Sequence, residues 1–512
     1  MAGLSPADDR PFPPGEYPVV IVGSGPGAIQ LSYALRSAGV QHAIIGADAA
    51  PGGMFLKWPF FQRLLSWTKP YAPADHETRA YERFDWNSLI ADEPNARAIM
   101  PTFMDGTSYF PSRPEMEQNL QAFVERTGLQ IRFGCRWTST RQVDGPNGPE
   151  FILETTDGEY RTPTAVFAVG IAEPYSPPTP GGELAAHYAA TRSPETYADR
   201  RVFIIGKSVS AFELATGLLQ WARGITLASP SPTKLSVNTR SLVGVRARYV
   251  QPFEDHVLGG GVTVLDAQIL GIERDGDRGF VVTTRSGAEG EPMRHRADDV
   301  ISATGFVSPL QDLPALGVAT FGPSKLPAQT PYWESATVPG VFFAGTITQA
   351  SGGLKKHGLP ANSGAVHGAR YNARVLARYI AETRAGLTFE RPSLAPGELL
   401  EFVLRQLNEA PELWHQKAYL ARVLSVTAED GIRDAGILPL ANVVDAGGPD
   451  AIVITLEADG TGAIYPVIYI RSGGKIEEHQ LDPEPMMDFR GPVHRRQLAE
   501  IVGRLVPDAT AG

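Results

Sequence analysis

The sequence predicts an α/β fold in which a strand, a glycine-rich turn and a helix are built twice, followed by a smaller α+β module. Three observations carry this. GSGPGA at residues 23–28 stands between an apolar run and a helical pattern, RVFIIGKSVSA at residues 201–211 repeats the arrangement, and AIVITLEADGTG with AIYPVIYI at residues 451–470 alternates at the period of a hairpin.

The first unit begins with the short apolar run 17–22. Gly23 allows the tight turn, Gly25 admits a pyrophosphate close to the backbone, and Ala28 keeps the helix near its strand; Gly27 completes the set. The helical pattern runs through Leu31 and Leu35 to Gly39, with its N-terminal amides toward the phosphates. HAIIGAD reads as the next strand, whose end should offer an acid to a ribose hydroxyl. Gly46 holds the expected place and Asp48 follows, with Gly53 and Met54 beyond it as further contacts to this cofactor.

In the second unit Gly206 is kept, Ser208 and Ala211 stand at the other two motif positions, and Ser210 lies between them at the head of a helix over 212–221. The strand 225–228 ends in SPSPTKLS without an acid, so Ser229, Ser231 and Lys234 suit a 2′-phosphate and favour NADPH over NADH. Connecting strands are predicted at 150–155, 164–169, 262–265 and 279–284. DDVISATGF, with Thr304 and Gly305, and VPGVFFAGTI, with Gly345 and Thr346, read as strands that end at glycine turns. A helix over 364–383 closes the nucleotide-binding pattern. ERPSLAPGE is a linker, 399–426 reads as helical, and the hairpin turns at Asp459 and Gly460.

At roughly 100–200 residues per domain, 512 residues hold about three domains. The expected division is a tail at 1–16, a first cofactor domain in two parts at 17–175 and 295–385, a second cofactor domain at 176–294, and an extension at 386–512 that serves dimerisation or covers the active site. With 46 basic against 56 acidic side chains, no long-range cationic field gathers nucleic acid or anionic lipid. No run approaches the roughly 18 apolar residues that span a bilayer, and the first residues lack a signal-peptide pattern, so a cytoplasmic location is expected. Cys135 is the single cysteine, which leaves no paired redox-active thiols and no cysteine-rich metal site. No metal is expected, and redox chemistry has to reside on an organic cofactor.

This order of motifs resembles the two-dinucleotide-binding flavoproteins, over roughly residues 17 to 385. The resemblance implies FAD on the first unit, NADPH on the second, and a late strand returning to the flavin at Gly345 and Thr346, where such proteins commonly carry Gly-Asp. Within that group the chain is similar to class B flavin-dependent monooxygenases of the N-hydroxylating branch. RLLSWTKPY resembles that branch's stretch with a serine and a lysine three residues later, here Ser66 and Lys69. ISATGF resembles its ATGY-type segment and KKHGLPANSG its HGL-type loop. GGELAAHY differs from the FxGxxxH signature by one residue between Gly182 and His187, which disfavours Baeyer–Villiger chemistry. DWNS and YFPSR resemble FAD-dependent oxidoreductase domain proteins and the nitrosuccinate-forming aspartate N-monooxygenases.

The resemblance implies reduction of FAD by NADPH, capture of O2 as a C4a-hydroperoxide and attack on it by the amine of a small amino acid, aspartate being the substrate type indicated. Lys69, His357 and Asn362 are then the candidates around flavin and substrate, with an ordinary surface lysine and a structural histidine as the plainer readings. Arg240, Arg246 and Arg248 fall in one short stretch and could pair with substrate carboxylates; a solvated basic face is the alternative. Arg113 is a candidate anchor for a cofactor phosphate or the substrate, and Trp58, Phe60, Phe61 and Trp67 are candidates for the flavin wall. A pyridine-nucleotide reductase, an S- or C-oxygenase and a non-enzymatic flavin-binding redox sensor remain as competing readings.

Overall fold

The computed structural model describes residues 8–59, 62–146, 148–239, 244–250, 252, 254, 261–310, 312–351, 353–354 and 356–506. Its centre is a parallel sheet in the order Val341–Phe343, Ala165–Phe167, Val20–Val22, Ala43–Ile45. All four strands are apolar along their length and fully buried, as a parallel sheet covered on both faces requires. Helix Pro26–Ser37 follows strand Val20–Val22 and packs against helix Val366–Thr383, which brings the late part of the chain back onto the first turn.

A second parallel sheet has the order Val262–Asp266, Gly224–Ser229, Arg201–Ile205, Asp299–Ser302, Ala186–His187. Its turn leads into helix Val209–Leu218. An antiparallel sheet accompanies each parallel one: Trp137–Gly145, Gly148–Thr155 and Gly158–Thr162 beside the first, and Gln268–Arg274, Phe280–Arg285 and Met293–Ala297 beside the second. The fold is therefore the predicted α/β arrangement with two Rossmann-like units.

The C-terminal region departs from expectation. The expected helix over 399–426 is instead helix Leu399–Glu409, helix Pro411–His415 and strand Leu420–Thr427. Pro411 restarts the first helix as a separate one, and the β-branched alternation of LARVLSVT pairs with two neighbouring strands. The hairpin of Asp450–Ala458 and Ile464–Ser472 is present, inside a six-stranded antiparallel sheet.

This sheet is joined to the first Rossmann-like unit by specific bonds. The Leu354 amide donates to the Ala418 carbonyl (3.0 Å). The buried Gln416 amide donates to Ser363 Oγ (3.1 Å) and Asn372 Oδ1 (2.5 Å), gripping the start of helix Val366–Thr383. Lys356 reaches Glu457, Tyr469 and Glu478 on the sheet. Among the described residues no helix is long and apolar enough to cross a membrane.

Candidate functional site

The first glycine turn opens on a cavity of about 610 Å³, a size that suits a bound cofactor. Two of the motif's glycines are required by the backbone around them. Gly23 has φ +137°, and a Cβ there would overlap the Ala168 carbonyl oxygen on the neighbouring strand. Gly27 meets the late strand's turn, so that a Cβ would fall on the Cα of Gly345. The first helix, capped by Gly25, has no side-chain cap and no acid in its first turn, which leaves its amides and positive dipole end to the cavity. Helix Val366–Thr383 likewise begins uncapped at Ala365, and Ala365 and Val366 line the same cavity.

Asp48 lines the cavity and accepts a hydrogen bond from Ser24 Oγ (2.5 Å). Gly46, at the usual acid position, has no room for a side chain, because a Cβ would lie 2.6 Å from that of Ser24. The carboxylate reaches the cavity from two residues further on. Cys135, Arg136, Trp137 and Thr138 border the cavity as well, with the Cys135 amide bonded to the Gly46 carbonyl beside Asp48. Trp58, Leu64, Leu65, Val366 and Ala369 supply an apolar wall, and Ser66 donates to the buried Asn87 (2.5 Å). The dimensions, the glycine cradle, the helix terminus and Asp48 together fit a dinucleotide with an extended aromatic ring system, as FAD has.

Of the predicted cofactor contacts, Gly23, Gly25, Gly27, Asp48, Gly53, Met54, Gly345 and Thr346 all line this cavity, while Ala28 is fully buried in the helix behind it. In the second unit Gly206 has φ +124° and its Cβ would meet the Ala303 carbonyl oxygen, as Gly23 does with Ala168. Ser208 is the N-cap residue of helix Val209–Leu218 without a capping bond, and Ser210 stands in the helix's first turn. Ser229 donates to the Ser231 carbonyl (3.3 Å), and Lys234 is exposed. An acid that the sequence reading overlooked, Asp266, ends the next strand and is ion-paired with Lys207 inside the turn.

Thr304 and Gly305 lie away from the first cavity, at the crossing between the units. Thr304 donates to the Tyr175 carbonyl. The His187 ring bridges the Ala189 amide, which it accepts at Nδ1 (3.1 Å), and the Gly305 carbonyl, to which Nε2 donates (3.0 Å). Burial lowers the His187 pKa, so a neutral ring with its proton on Nε2 satisfies both bonds.

The three candidates carried over for catalysis are not brought together. Lys69 is exposed, and its backbone alone is bonded, to Phe84 and Tyr81. His357 contacts the Tyr465 hydroxyl (3.2 Å) and Asn362 donates to the His415 carbonyl (2.9 Å), both on the C-terminal region. None of the three lines the cavity. Arg113 is likewise committed elsewhere, to the Trp58 carbonyl and Glu117, where it braces the wall rather than facing a phosphate. Trp58 is on the cavity wall, whereas Trp67 packs at a tilt against Trp86 and does not line the cavity; Phe60, Phe61 and Arg240 lie outside the described residues. Among the described residues, Arg246 and Arg248 are both half-buried with no hydrogen-bond partner at Nε, and Arg248 is bonded through Nη2 alone, to the Leu64 carbonyl and the Tyr249 hydroxyl.

Lys57, whose ammonium donates to the Ala172 carbonyl (3.1 Å), and the cavity-lining segment 135–138 were missed by sequence reasoning; neither belongs to a glycine motif. The Cys135 thiol is buried and its pKa is raised by that burial, which disfavours the thiolate needed for exchange. No cluster of metal-ligating side chains occurs among the described residues.

Comparison with known proteins agrees with this geometry. The profile of the pyridine nucleotide-disulphide oxidoreductase family matches residues 20–345. The FAD-dependent oxidoreductase domain-containing protein 2 of Mus musculus is 27% identical over 433 residues, 79% of this chain and 64% of that protein. The chain thus spans somewhat under two thirds of that relative's length. The bacillithiol disulfide reductase of Staphylococcus aureus superposes with a TM-score of 0.55 at 16% identity, over 72% of this chain and 98% of the other. The ornithine N-hydroxylase of Kutzneria sp. 744, solved with reduced FAD, NADP+ and L-ornithine, gives 0.53 at 16% identity, over 72% and 99%. These two structures share the fold.

Proposed function

Because the chain belongs to the pyridine nucleotide-disulphide oxidoreductase family, we propose that it is an FAD- and NADPH-dependent monooxygenase that N-hydroxylates the amine of a small amino acid, with aspartate as the first substrate to test. One observation carries the choice of oxygenase over disulfide reductase. The only thiol in the sequence is a single buried cysteine with a raised pKa, so this chain holds no dithiol to pass electrons onward. The flavoprotein relative and the ornithine N-hydroxylase of the same fold support the reading.

When bound, FAD supplies two-electron chemistry, taking hydride from NADPH and delivering the electrons to O2, with one oxygen atom going to the amine nitrogen and the other to water. The chain's own residues do the rest. Asp48, on the cavity wall, accepts from ribose hydroxyls in this reading, and the amides at the start of helix Pro26–Ser37 receive the pyrophosphate. Gly206 and Ser208 form the corresponding turn for NADPH, with Ser229 and Lys234 offered to its 2′-phosphate. Trp58, Leu64, Leu65 and Val366 exclude water from the ring end, which limits leakage of reducing power to hydrogen peroxide. Arg246, with a donor still free, is the substrate-carboxylate candidate.

The test is to purify the yellow protein, add NADPH in air, and follow oxygen uptake and oxidised-nitrogen product with and without aspartate and other small amino acids. Substrate-dependent uptake with product is expected. Flavin reduction with no oxygenated product returns the chain to the reductases, and no reduction at all favours a flavin-binding sensor. Arg246→Ala is expected to raise the KM for an acidic substrate; unchanged specificity removes it from the site.

A further inference from the structure

The two dinucleotide-binding units meet along an apolar seam in which Trp58 and Leu65 of the first pack against the core of the second, beside Tyr188 and Tyr249. Among the described residues, a charged side chain crosses that seam. Arg248 stands in the 3₁₀ turn Ala247–Tyr249 of the second unit. Its Nη2 donates to the Leu64 carbonyl (3.3 Å), and its guanidinium carbon lies 4.1 Å from the centre of the Phe110 ring; both partners belong to the first unit, and Leu64 lines the cavity. On the other side the same Nη2 bonds the Tyr249 hydroxyl and lies 3.8 Å from Glu213 Oε1. Tyr249 in turn donates to Glu213.

Glu213 belongs to helix Val209–Leu218, which begins at the second glycine turn. A continuous path of bonded groups therefore runs from that turn through Glu213, Tyr249 and Arg248 to Leu64. The planar guanidinium is suited to it, since it stacks on a ring face while its edge donates in two directions, which a lysine ammonium cannot reproduce. Apolar contact along the seam holds the units together without specifying their relative rotation; directional bonds across it do specify that.

We propose that Arg248 is a positioning residue, a clamp that fixes the second unit against the cavity wall and thereby sets the approach of the nicotinamide to the flavin. The consequence for hydride transfer rests on the reading in which NADPH reduces FAD. The clamp itself rests on geometry alone.

The experiment uses the wild-type, Arg248→Lys and Arg248→Met holoenzymes in two measurements. In anaerobic stopped-flow reduction by NADPH, Arg248→Met is expected to lower the limiting rate of flavin reduction about 10-fold or more, because small misplacements of reacting centres are costly. The NADPH concentration at half-saturation and the FAD dissociation constant should stay within about 2-fold, and the long-wavelength charge-transfer absorbance of reduced flavin with NADP+ should be lost. Arg248→Lys should recover part of the rate. A limiting rate within about 2-fold of wild type with the charge-transfer band intact overturns the positioning role.

In hydrogen exchange, amides in segments 62–68 and 209–218 should exchange faster in Arg248→Met than in wild type; equal protection overturns the clamp, whether or not flavin is reduced. A wild-type protein that binds no FAD or is not reduced by NADPH defeats the functional reading and leaves the exchange result to decide the clamp. If Arg248→Met does not fold, Phe110→Leu removes the stacking ring and is expected to shift both measurements in the same direction by less; no shift in either overturns the proposal.

Discussion

The two glycine turns occupy equivalent places in their sheets and do different work. Their first glycines are interchangeable in role, for Gly23 lies against the Ala168 carbonyl as Gly206 lies against that of Ala303. The turns part company four residues later. Gly27 is pressed against Gly345, whereas its counterpart Ser210 has room for a side chain. The first turn is therefore locked to a returning strand, forming an enclosed cradle suited to a cofactor that stays. The second turn lacks that closure, which suits a cofactor that comes and goes with each turnover.

This contrast is most directly broken at Gly27. Gly27→Ala should cost on the order of 3 kcal/mol through overpacking against Gly345 and yield colourless protein, measured as flavin content and melting temperature. Retained yellow colour would show that the cradle is looser than described. Asp48→Asn should weaken FAD binding about 10-fold while leaving the NADPH half-saturation alone, whereas Lys234→Ala should leave FAD in place and shift the NADPH-to-NADH preference toward NADH by a similar factor; both are read by titration.

A third prediction concerns pH. Burial raises the Glu213 carboxyl to about 7, opposed by the Tyr249 hydroxyl, by Arg248 and by Tyr188. A folded-state value above the unfolded one means that this group's stabilisation is complete at pH below about 4.5 and is lost as pH rises to about 7, a change on the order of 3 kcal/mol. Glu213→Gln should flatten that slope, so its melting temperature should gain on wild type steadily between pH 5 and pH 7. A constant difference between the two proteins would contradict it. The smallest effect is expected at Ser210→Ala, where a partly exposed hydroxyl is removed at a cost within about 0.5 kcal/mol, with flavin content unchanged.

Much of the fold was legible because its signals are local. A short apolar strand, a glycine and a helical repeat are all written within some twenty residues, and both units were visible from them. The C-terminal region was less so: LARVLSVT continues an apolar pattern that suits a helix, and only its pairing with strands further along makes it a strand. The site divides in the same way. Gly23 and Asp48 are close in sequence to the motif that announces them. Gly27 takes its meaning from Gly345, and His357 and Asn362 are claimed by Tyr465 and His415. A likeness in the local words around Lys69, His357 and Asn362 says nothing of the chain after residue 385, and that region supplies partners to two of them.

The grip of Gln416 on Ser363 and Asn372 has a consequence for the order of events in the cell. The first turn, at residues 23–28, is made long before Gln416. Helix Val366–Thr383 therefore gains this anchor only once Gln416 has been made and has folded back onto it.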